Sequence, residues 1–542
     1  MVLGAVGWSL YSAGVFEGNL VNAGGWGLVA QFVAAASRPE VSVEFLLLTA
    51  DATLKTLAYA VCGTCFSLIF GLVGGIFCSE VWWESVLGVD FGFGWLVVRA
   101  ALAVPRAIHE LIWGLFFINI FGLEPLVAVL AIAIPFGAIT AKVYAEILDE
   151  TPRQPMLALL GSGVPPLSAF VYGLIPLAFA NWLAYAFYRF ECSIRAAAVL
   201  GIIGAGGLGY QIYLSLQSLR YEEMWTLLIA LVVLSGCTDW WSGILRRQIG
   251  APSRLDLNVL QVKPLSSSYR VAQGDRVISF SLFAVAGLIL FSFWYVQADF
   301  SKLWMPRTGQ LLIAFVKEAF PPDFSQLGQL LSLCSQTLAM SILAIAFAGC
   351  GGIIFSYLAA NNLLLPGGIL DSGGNKNRWW GITVLVLSKF FLLFTRAIPA
   401  PIWALIFLFV LFPGILPGAI ALGIHNLGIL GRLMAEVTEN LDDRPSRSLN
   451  ALGASGSQVF LYGILPATMA KFIAYILYRW ETCIRATVIV GLVGAGGLGR
   501  LLTEQISSFD YPGVVATLVC FICLTFGVDL VSATLRKSLY SS

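Results

Sequence analysis

The sequence predicts an all-α, polytopic membrane protein built from two tandem copies of one helical unit. Three observations carry that expectation. The 542 residues are 58% hydrophobic and only 11% charged, with a mean hydropathy of +0.86. Apolar runs close to the ~20 residues needed to cross a hydrocarbon core recur along the chain. A stretch of the second half repeats one in the first half at an offset of 290 residues.

The composition excludes an ordinary soluble domain. Such a domain carries roughly a quarter charged residues, and with less than half of that there is too little polar surface to face water. Lipid forces each backbone polar group to pair within its own segment, so the spans are expected to be helices. A net charge of +1 gives no sign of a nucleic-acid partner. The segment Met1 to Tyr11 lacks the basic start of a cleavable signal, so the first span reads as a short retained helix.

The repeat sets the architecture. Residues Tyr172–Gly209 and Tyr462–Gly499 align without a gap and are identical at 19 of 38 positions. The same offset relates Arg106-Ala-Ile to Arg396-Ala-Ile and Ala145-Glu146 to Ala435-Glu436, and an offset of 281 relates Thr56-Leu-Ala to Thr337-Leu-Ala. Spans are expected near 1–17, 51–78, 95–121, 125–145, 176–201 and 222–245, and near 277–297, 332–360, 381–412, 414–437, 466–490 and 513–535. Six spans per copy, about twelve in all, make the two copies parallel. The chain thus divides into a first repeat (1–245), a basic linker (246–276) and a second repeat (277–542).

Topology follows from charge. The linker carries Arg246, Arg247, Arg254, Lys263, Arg270 and Arg276 without a long apolar run, which makes it cytoplasmic by the positive-inside rule. Arg536 and Lys537 put the C-terminus on the same side, and counting spans backward does so for Glu146–Tyr172 and Glu436–Tyr462. The expected location is a bacterial inner membrane, crossed many times. Trp82-Trp83 and Trp379-Trp380 fit the interfacial aromatic belt.

Two of the cytoplasmic loops match each other. Gly163 precedes Pro176 by thirteen residues and Gly453 precedes Pro466 by thirteen. A short helix, a glycine that permits a turn and a proline opening the next span make a rigid protrusion.

These loops resemble the coupling loop of ABC import permeases, a Glu-Ala-Ala, three residues, Gly and then Leu-Pro. The block Tyr-Arg-x-Glu-x-x-Ile-Arg followed by Gly-x-x-Gly-Ala-Gly-Gly-Leu-Gly resembles the phosphonate-type branch of that family, as does Arg-Ala-Ile-Pro at Arg396. The resemblance is strong over 50–245 and 332–537 and weak over 1–50 and 277–331. It implies a fold like that of methionine-type importers, a loop that docks in a groove of the ATPase, and a separate extracytoplasmic binding protein that selects the cargo. With both pore walls in one chain, it implies one permease chain, two ATPase subunits and one binding protein per complex. The cargo class it implies is phosphonate, phosphite, hypophosphite or phosphate. The sequence departs from the family where Leu157 and Arg447 stand in place of the glutamate, leaving Arg153, Asp442, Asp443 and Arg444 as other contacts to the ATPase. An ABC permease for another cargo such as an amino acid is the alternative. A secondary transporter, also built of repeats, has no use for the paired Gly-to-Pro loops.

The chain contains no Gly-x-x-x-x-Gly-Lys-Ser/Thr phosphate loop, so it is expected to be a transport subunit and not an enzyme, with ATP and Mg bound by the partner ATPase and no cofactor of its own. Gly204, Gly206 and Gly207, and Gly494, Gly496 and Gly497, fit a dinucleotide pattern, but follow a membrane helix where that pattern needs a strand. They read as close backbone packing at the outer mouth of the pore.

Charged residues inside spans are costly and mark function by default. Glu191 and Arg195, like Glu481 and Arg485, are four apart and can meet on one helix face. Arg189 and Arg479 precede them, and Arg106 and Arg396 lie in another span. These groups either neutralise one another and lock packing, or give the translocation pathway a positive potential suited to an oxyanion, for which arginine offers a planar fork of donors. The two histidines, His109 and His425, do not align. The C-x-x-C pairs, Cys62 with Cys65 and Cys520 with Cys523, read as small packing residues and no metal site is expected.

Overall fold

The structure is a computed structural model and describes residues 2–16, 20–89, 92–249, 276–365, 368–369, 378–442 and 444–541. Among these the secondary structure is helical, apart from one isolated bridge between Val21 and Leu411. The helices of the first half are α1 (Val2–Ser12), α2 (Trp26–Ala35), α3 (Val43–Cys78), α4 (Phe93–Ala107), α5 (Glu110–Phe121), α6 (Pro125–Glu150), α7 (Gln154–Gly161), α8 (Pro166–Gly173), α9 (Ile175–Leu200), α10 (Gly207–Gln217) and α11 (Tyr221–Ile249). Those of the second half are α12 (Arg276–Val296), α13 (Pro306–Ala319), α14 (Leu327–Ala359), α15 (Asn361–Leu364), α16 (Arg378–Ala397), α17 (Ala400–Phe407), α18 (Ile415–Glu439), α19 (Arg444–Ala451), α20 (Gly456–Val459), α21 (Leu465–Val490), α22 (Gly497–Ser507) and α23 (Tyr511–Ser541). Of the predicted linker, residues 250–275 lie outside the described residues.

All twelve expected segments form helix, but not all as single spans. Among the described residues, eight helices are long and apolar enough to cross a membrane, or ten if the bent pairs α4 with α5 and α8 with α9 each count as one. The continuous spans expected over 95–121 and 381–412 are both broken. Helices α4 and α5 meet at 85°, where Pro105 lies in the last turns of α4 and His109 caps α5 by accepting the Leu111 amide. The second break falls at Ile398-Pro399, because proline cannot continue the helix it follows. α1, with 11 residues, is about half the length a hydrocarbon core requires.

The chain forms two compact units whose boundaries differ from those of the repeats: Pro39–Ala314, and Met1–Arg38 with Phe315–Ser542. In the unit holding the first-repeat core, α3 lies along α6, and α12 of the second repeat packs against α3. In the other, α14 lies along α18, and α1 of the first repeat packs against α14. The leading helix of each repeat therefore belongs to the unit that holds the other repeat's core. Small residues let the central pairs approach closely. A Cβ at Gly71 of α3 would stand 2.4 Å from Cγ2 of Thr140 on α6.

Each core is apolar and continuous. Ala128, Ala131, Ile132, Ile194 and Ala197 are buried together in the first unit, and Met340, Ala344, Ala421, Leu422 and Cys483 in the second. Trp379 and Trp380 are exposed at the start of α16, as belt residues would be. Trp82 instead packs edge-on against Phe170 at 5.4 Å.

Candidate translocation and coupling sites

The two matched loops have the same backbone. α7 closes with a left-handed glycine, Gly163 at φ +83°; the Gly163 amide reaches the Leu160 carbonyl and the Val164 amide that of Leu159. α19 closes in the same way, with Gly453 at φ +84° and amides of Gly453 and Ala454 on Asn450 and Leu449. A side chain at either glycine would meet open space, so backbone conformation and not crowding reserves the position. Pro176 and Pro466 then stand in the first turn of α9 and α21. The protrusions are held from below: a Cβ at Gly173 would lie 2.8 Å from the Met156 Cα, and one at the matching Gly463 3.0 Å from Oγ of Ser446.

What the loops present outward is largely apolar. Leu157 and Leu452 are exposed, and the aligned Tyr172 and Tyr462 are 76% and 75% exposed. Arg153, a candidate ATPase contact, is paired within the unit to Glu84 at 2.8 Å. Arg444 lies 3.9 Å from Asp442, and Asp443 is outside the described residues. Among the described residues two ion pairs recur at aligned positions: Arg99 with Asp149 at 3.7 Å and Lys389 with Glu439 at 3.9 Å, and Lys142 with Glu146 at 3.6 Å and Arg432 with Glu436 at 3.0 Å.

The glycine motifs end α9 and α21 in a sharp reversal. Gly204, Gly206 and Gly207 have φ of +98°, +88° and +75°, and Gly494, Gly496 and Gly497 have +100°, +80° and +71°. No side chain fits at Gly209, whose Cβ would lie 1.7 Å from the Ala198 carbonyl oxygen. Helices α10 and α22 start against a threonine of the long central helix: Thr56 Oγ1 accepts the Leu208 amide at 2.8 Å, and Thr337 Oγ1 that of Leu498 at 3.0 Å.

The intramembrane charges are arranged differently from expectation. Neither Glu191–Arg195 nor Glu481–Arg485 closes as an ion pair. Arg195 donates to Sγ of Cys192 at 3.3 Å, and Arg485 donates Nε to the backbone carbonyl of Glu481 at 3.1 Å. The Glu481 carboxylate is taken by Arg536 of α23 at 2.5 Å, since a side chain arriving from a second helix reaches it without folding back along α21. Glu191 is buried on α9. Arg106 and Arg396 close α4 and α16 at the two breaks, Arg106 half-buried and Arg396 buried. Arg189 is buried beneath aromatic rings, while Arg479 is half-buried with its Nε donating to Asn426 Oδ1 at 2.6 Å.

The unaligned histidines serve equivalent places: His109 caps the helix after the first break, and Nδ1 of His425 lies 3.0 Å from the Ile398 carbonyl oxygen at the second. The C-x-x-C pairs lie within α3 and α23 as free thiols. Among the described residues, no cluster of three or more His, Cys, Asp or Glu is placed to hold a metal.

Residues 85–250 and again 367–539 match the family described as binding-protein-dependent transport system inner membrane component. The chain belongs to that family. It carries the family's domain twice, so the permease is a tandem fusion. It is 26% identical over 444 residues to the phosphate-import permease protein PhnE of Mycolicibacterium smegmatis, covering 82% of this chain and 78% of that one. To the phosphite transport system permease protein PtxC of Stutzerimonas stutzeri it is 33% identical over 256 residues, 47% of this chain and 86% of that one. Among solved structures it resembles the methionine ABC transporter MetNI in inward facing conformations. That likeness has 20% identity and a TM-score of 0.35, over 39% of this chain and 99% of that one. The permease is a multi-pass inner-membrane transport subunit, not an enzyme, and its family works with a separate ATPase and a substrate-binding protein.

Sequence reasoning missed three features of this permease. The exposed tyrosines of the loops were visible as Tyr172 and Tyr462 heading the repeated block. The two threonines under the glycine motifs were visible as the Thr-Leu-Ala repeat. The contact of Arg536 with Glu481 had no local signal, because it joins two helices 55 residues apart.

Proposed function

We propose that this permease imports a phosphorus oxyanion (phosphonate, phosphite, hypophosphite or phosphate), driven by ATP hydrolysed on a partner ATPase. The observation that supports the cargo class is the agreement of its relatives, named for phosphate, phosphite and phosphonate transport. Arginines in the spans of both repeats are consistent with it, since a guanidinium offers two parallel donors to phosphoryl oxygens. Of the charged positions expected to line the translocation pathway, Arg106, Glu191, Arg195, Arg396, Arg479, Glu481 and Arg485 belong to it in this reading, while Arg189, buried beneath aromatic rings, is a packing residue. The reversals at Gly204–Gly207 and Gly494–Gly497 form its outer mouth.

The complex contains one permease chain, two ATPase subunits that bind ATP and Mg, and one extracytoplasmic binding protein. Two loops with the same glycine turn supply one docking point for each ATPase. The loops and the C-terminus are cytoplasmic, and the repeats divide at 245 and 277 around the basic linker. The sequence has no phosphate loop of its own.

The test is ATP hydrolysis by the purified complex with its binding protein loaded in turn with phosphate, phosphite, methylphosphonate or methionine, beside native mass spectrometry of the same sample. Stimulation by a phosphorus oxyanion and a mass for one permease with two ATPases are expected. Stimulation by methionine alone, or two permease chains per active complex, would overturn the reading.

A further inference from the structure

Two helices with nearly the same local sequence hold the same arginine in two ways. Residues Tyr185–Arg189 of α9 read Tyr-Ala-Phe-Tyr-Arg, and Tyr475–Arg479 of α21 read Tyr-Ile-Leu-Tyr-Arg. Arg189 is 7% exposed. Its guanidinium carbon lies 4.7 Å from the ring centre of Phe136 on α6, 5.3 Å from that of Tyr185 and 5.8 Å from that of Tyr188. Nη2 donates to the Tyr185 hydroxyl. This is a cation held by ring faces, an arrangement that gains strength where water is excluded.

The position aligned with Phe136 in the second repeat is Asn426 of α18. Its amide offers an acceptor where the ring offered a face, and Nε of Arg479 takes it at 2.6 Å. Asn426 is itself fixed, its Nδ2 donating to the Leu422 carbonyl at 2.8 Å and lying 3.6 Å from Sγ of Cys483. The second tyrosine has changed partner as well: Tyr478, aligned with Tyr188, lies 5.9 Å from the guanidinium of Arg536. Arg479 is thus anchored through Nε alone. Among the described residues no protein group accepts from its two terminal nitrogens, and it is half-buried where Arg189 is buried.

We propose that Arg479 binds the anionic cargo in transit, that Asn426 positions its donor fork, and that Arg189 is a structural cation closed off by its rings. This rests on the phosphorus-oxyanion reading above. A guanidinium held by Nε directs its terminal N–H groups, as a rigid planar pair, away from the anchor, and that spacing suits two oxygens of one tetrahedral oxyanion. Arg189 has one donor spent on Tyr185 and its faces covered, so no anion reaches it in the same geometry. The exchange of Phe136 for Asn426 on the facing helix accompanies the two states, which a fused chain permits because its two halves are different sequences.

The experiment is uptake of labelled phosphate and labelled methylphosphonate by the whole complex in proteoliposomes, expressed per intact complex. Arg479→Gln is expected to lower uptake by about tenfold or more, the size of losing a hydrogen bond to a charged group. Asn426→Asp keeps size and acceptor while cancelling the charge of Arg479. It is expected to assemble normally and still lose uptake, which a purely structural asparagine would not do. Arg189→Gln is expected to lower the yield of complex and leave uptake per complex unchanged. Normal uptake per complex in both Arg479→Gln and Asn426→Asp would overturn the assignment. If Arg479→Gln fails to assemble, Asn426→Asp decides alone. A wild-type complex that takes up neither anion overturns the cargo reading instead, and this inference with it.

Discussion

Oγ1 of Thr337 stands 3.0 Å from the amide nitrogen of Leu498, joining the central helix α14 to the first turn of α22. The same hydroxyl donates to the Leu333 carbonyl at 2.8 Å, so it serves both helices at once. The left-handed run Gly494, Gly496 and Gly497 brings that amide to the threonine, and a Cβ at Gly497 would lie 2.8 Å from the hydroxyl. Thr56 and Leu208 repeat the arrangement in the first unit. Replacing Thr337 by valine leaves a buried amide without its acceptor, at a cost of about 1–3 kcal/mol. Thr337→Val is therefore expected to lower the melting temperature of the purified protein, and Thr337→Ser to restore most of it. Equal melting of all three would show that the contact contributes nothing.

The coupling loops make a prediction about conformation. At Gly453 the φ of +84° forces a left-handed backbone, yet nothing stands within 4 Å of the place a Cβ would take. A β-branched residue is strongly disfavoured there and asparagine is tolerated. Gly453→Asn is expected to keep most of the ATPase coupling and Gly453→Val to lose it, with membrane insertion intact in both. Cargo-stimulated ATP hydrolysis measures this. Equal loss in both would point to a crowded contact with the ATPase at that glycine.

The exposed Tyr172 and Tyr462 make a prediction about docking. They occupy one position of the repeat, are three-quarters exposed, and stand on loops that lack the family's glutamate. An aromatic anchor of this kind typically carries 1–3 kcal/mol of an interface, and more at a hot spot. Tyr462→Ala is expected to weaken ATPase association roughly tenfold, measured by titrating ATPase into detergent-purified permease. An unchanged affinity would remove this tyrosine from the interface.

Glu481 and Arg536 couple α21 to α23. Their side chains are 9% and 26% exposed, so each single truncation leaves a mostly buried charge behind, while the double truncation leaves none. Glu481→Gln and Arg536→Met are each expected to destabilise the protein, and the double variant by less than the sum of the two, with a coupling of about 1–3 kcal/mol. Additive effects would mean that the two charges do not sense each other.

Much of this molecule was legible in one dimension. The spans α3, α6, α14, α18 and α23 announce themselves because lipid demands apolar length, and the coupling glycines because a turn and a proline keep their spacing across a repeat. The break after Arg106 was hidden, since Ile108 and His109 look like one more helical turn and only the angle between α4 and α5 separates them, whereas Pro399 was a visible signal for the break after Arg396. The exchange of leading helices was hidden as well. α1 and α12 are apolar all along, and apolar character does not say which neighbour a helix will choose. The i, i+4 spacing of Glu481 and Arg485 misled for a related reason: a helix face shows which pairs can meet, and Arg536, arriving from another helix, takes the carboxylate.

The central claim, that one fused chain forms an ATP-driven path for a phosphorus oxyanion, is tested most directly by one measurement. Labelled phosphate, phosphite and methylphosphonate are supplied with the binding protein to proteoliposomes that hold this permease and its ATPase, and accumulation is followed with and without ATP. The account predicts accumulation of at least one of the three that requires ATP and the binding protein, persists when ion gradients are collapsed, and needs no second permease. Accumulation that follows an imposed ion gradient without ATP, or that appears only after another permease subunit is added, would contradict it.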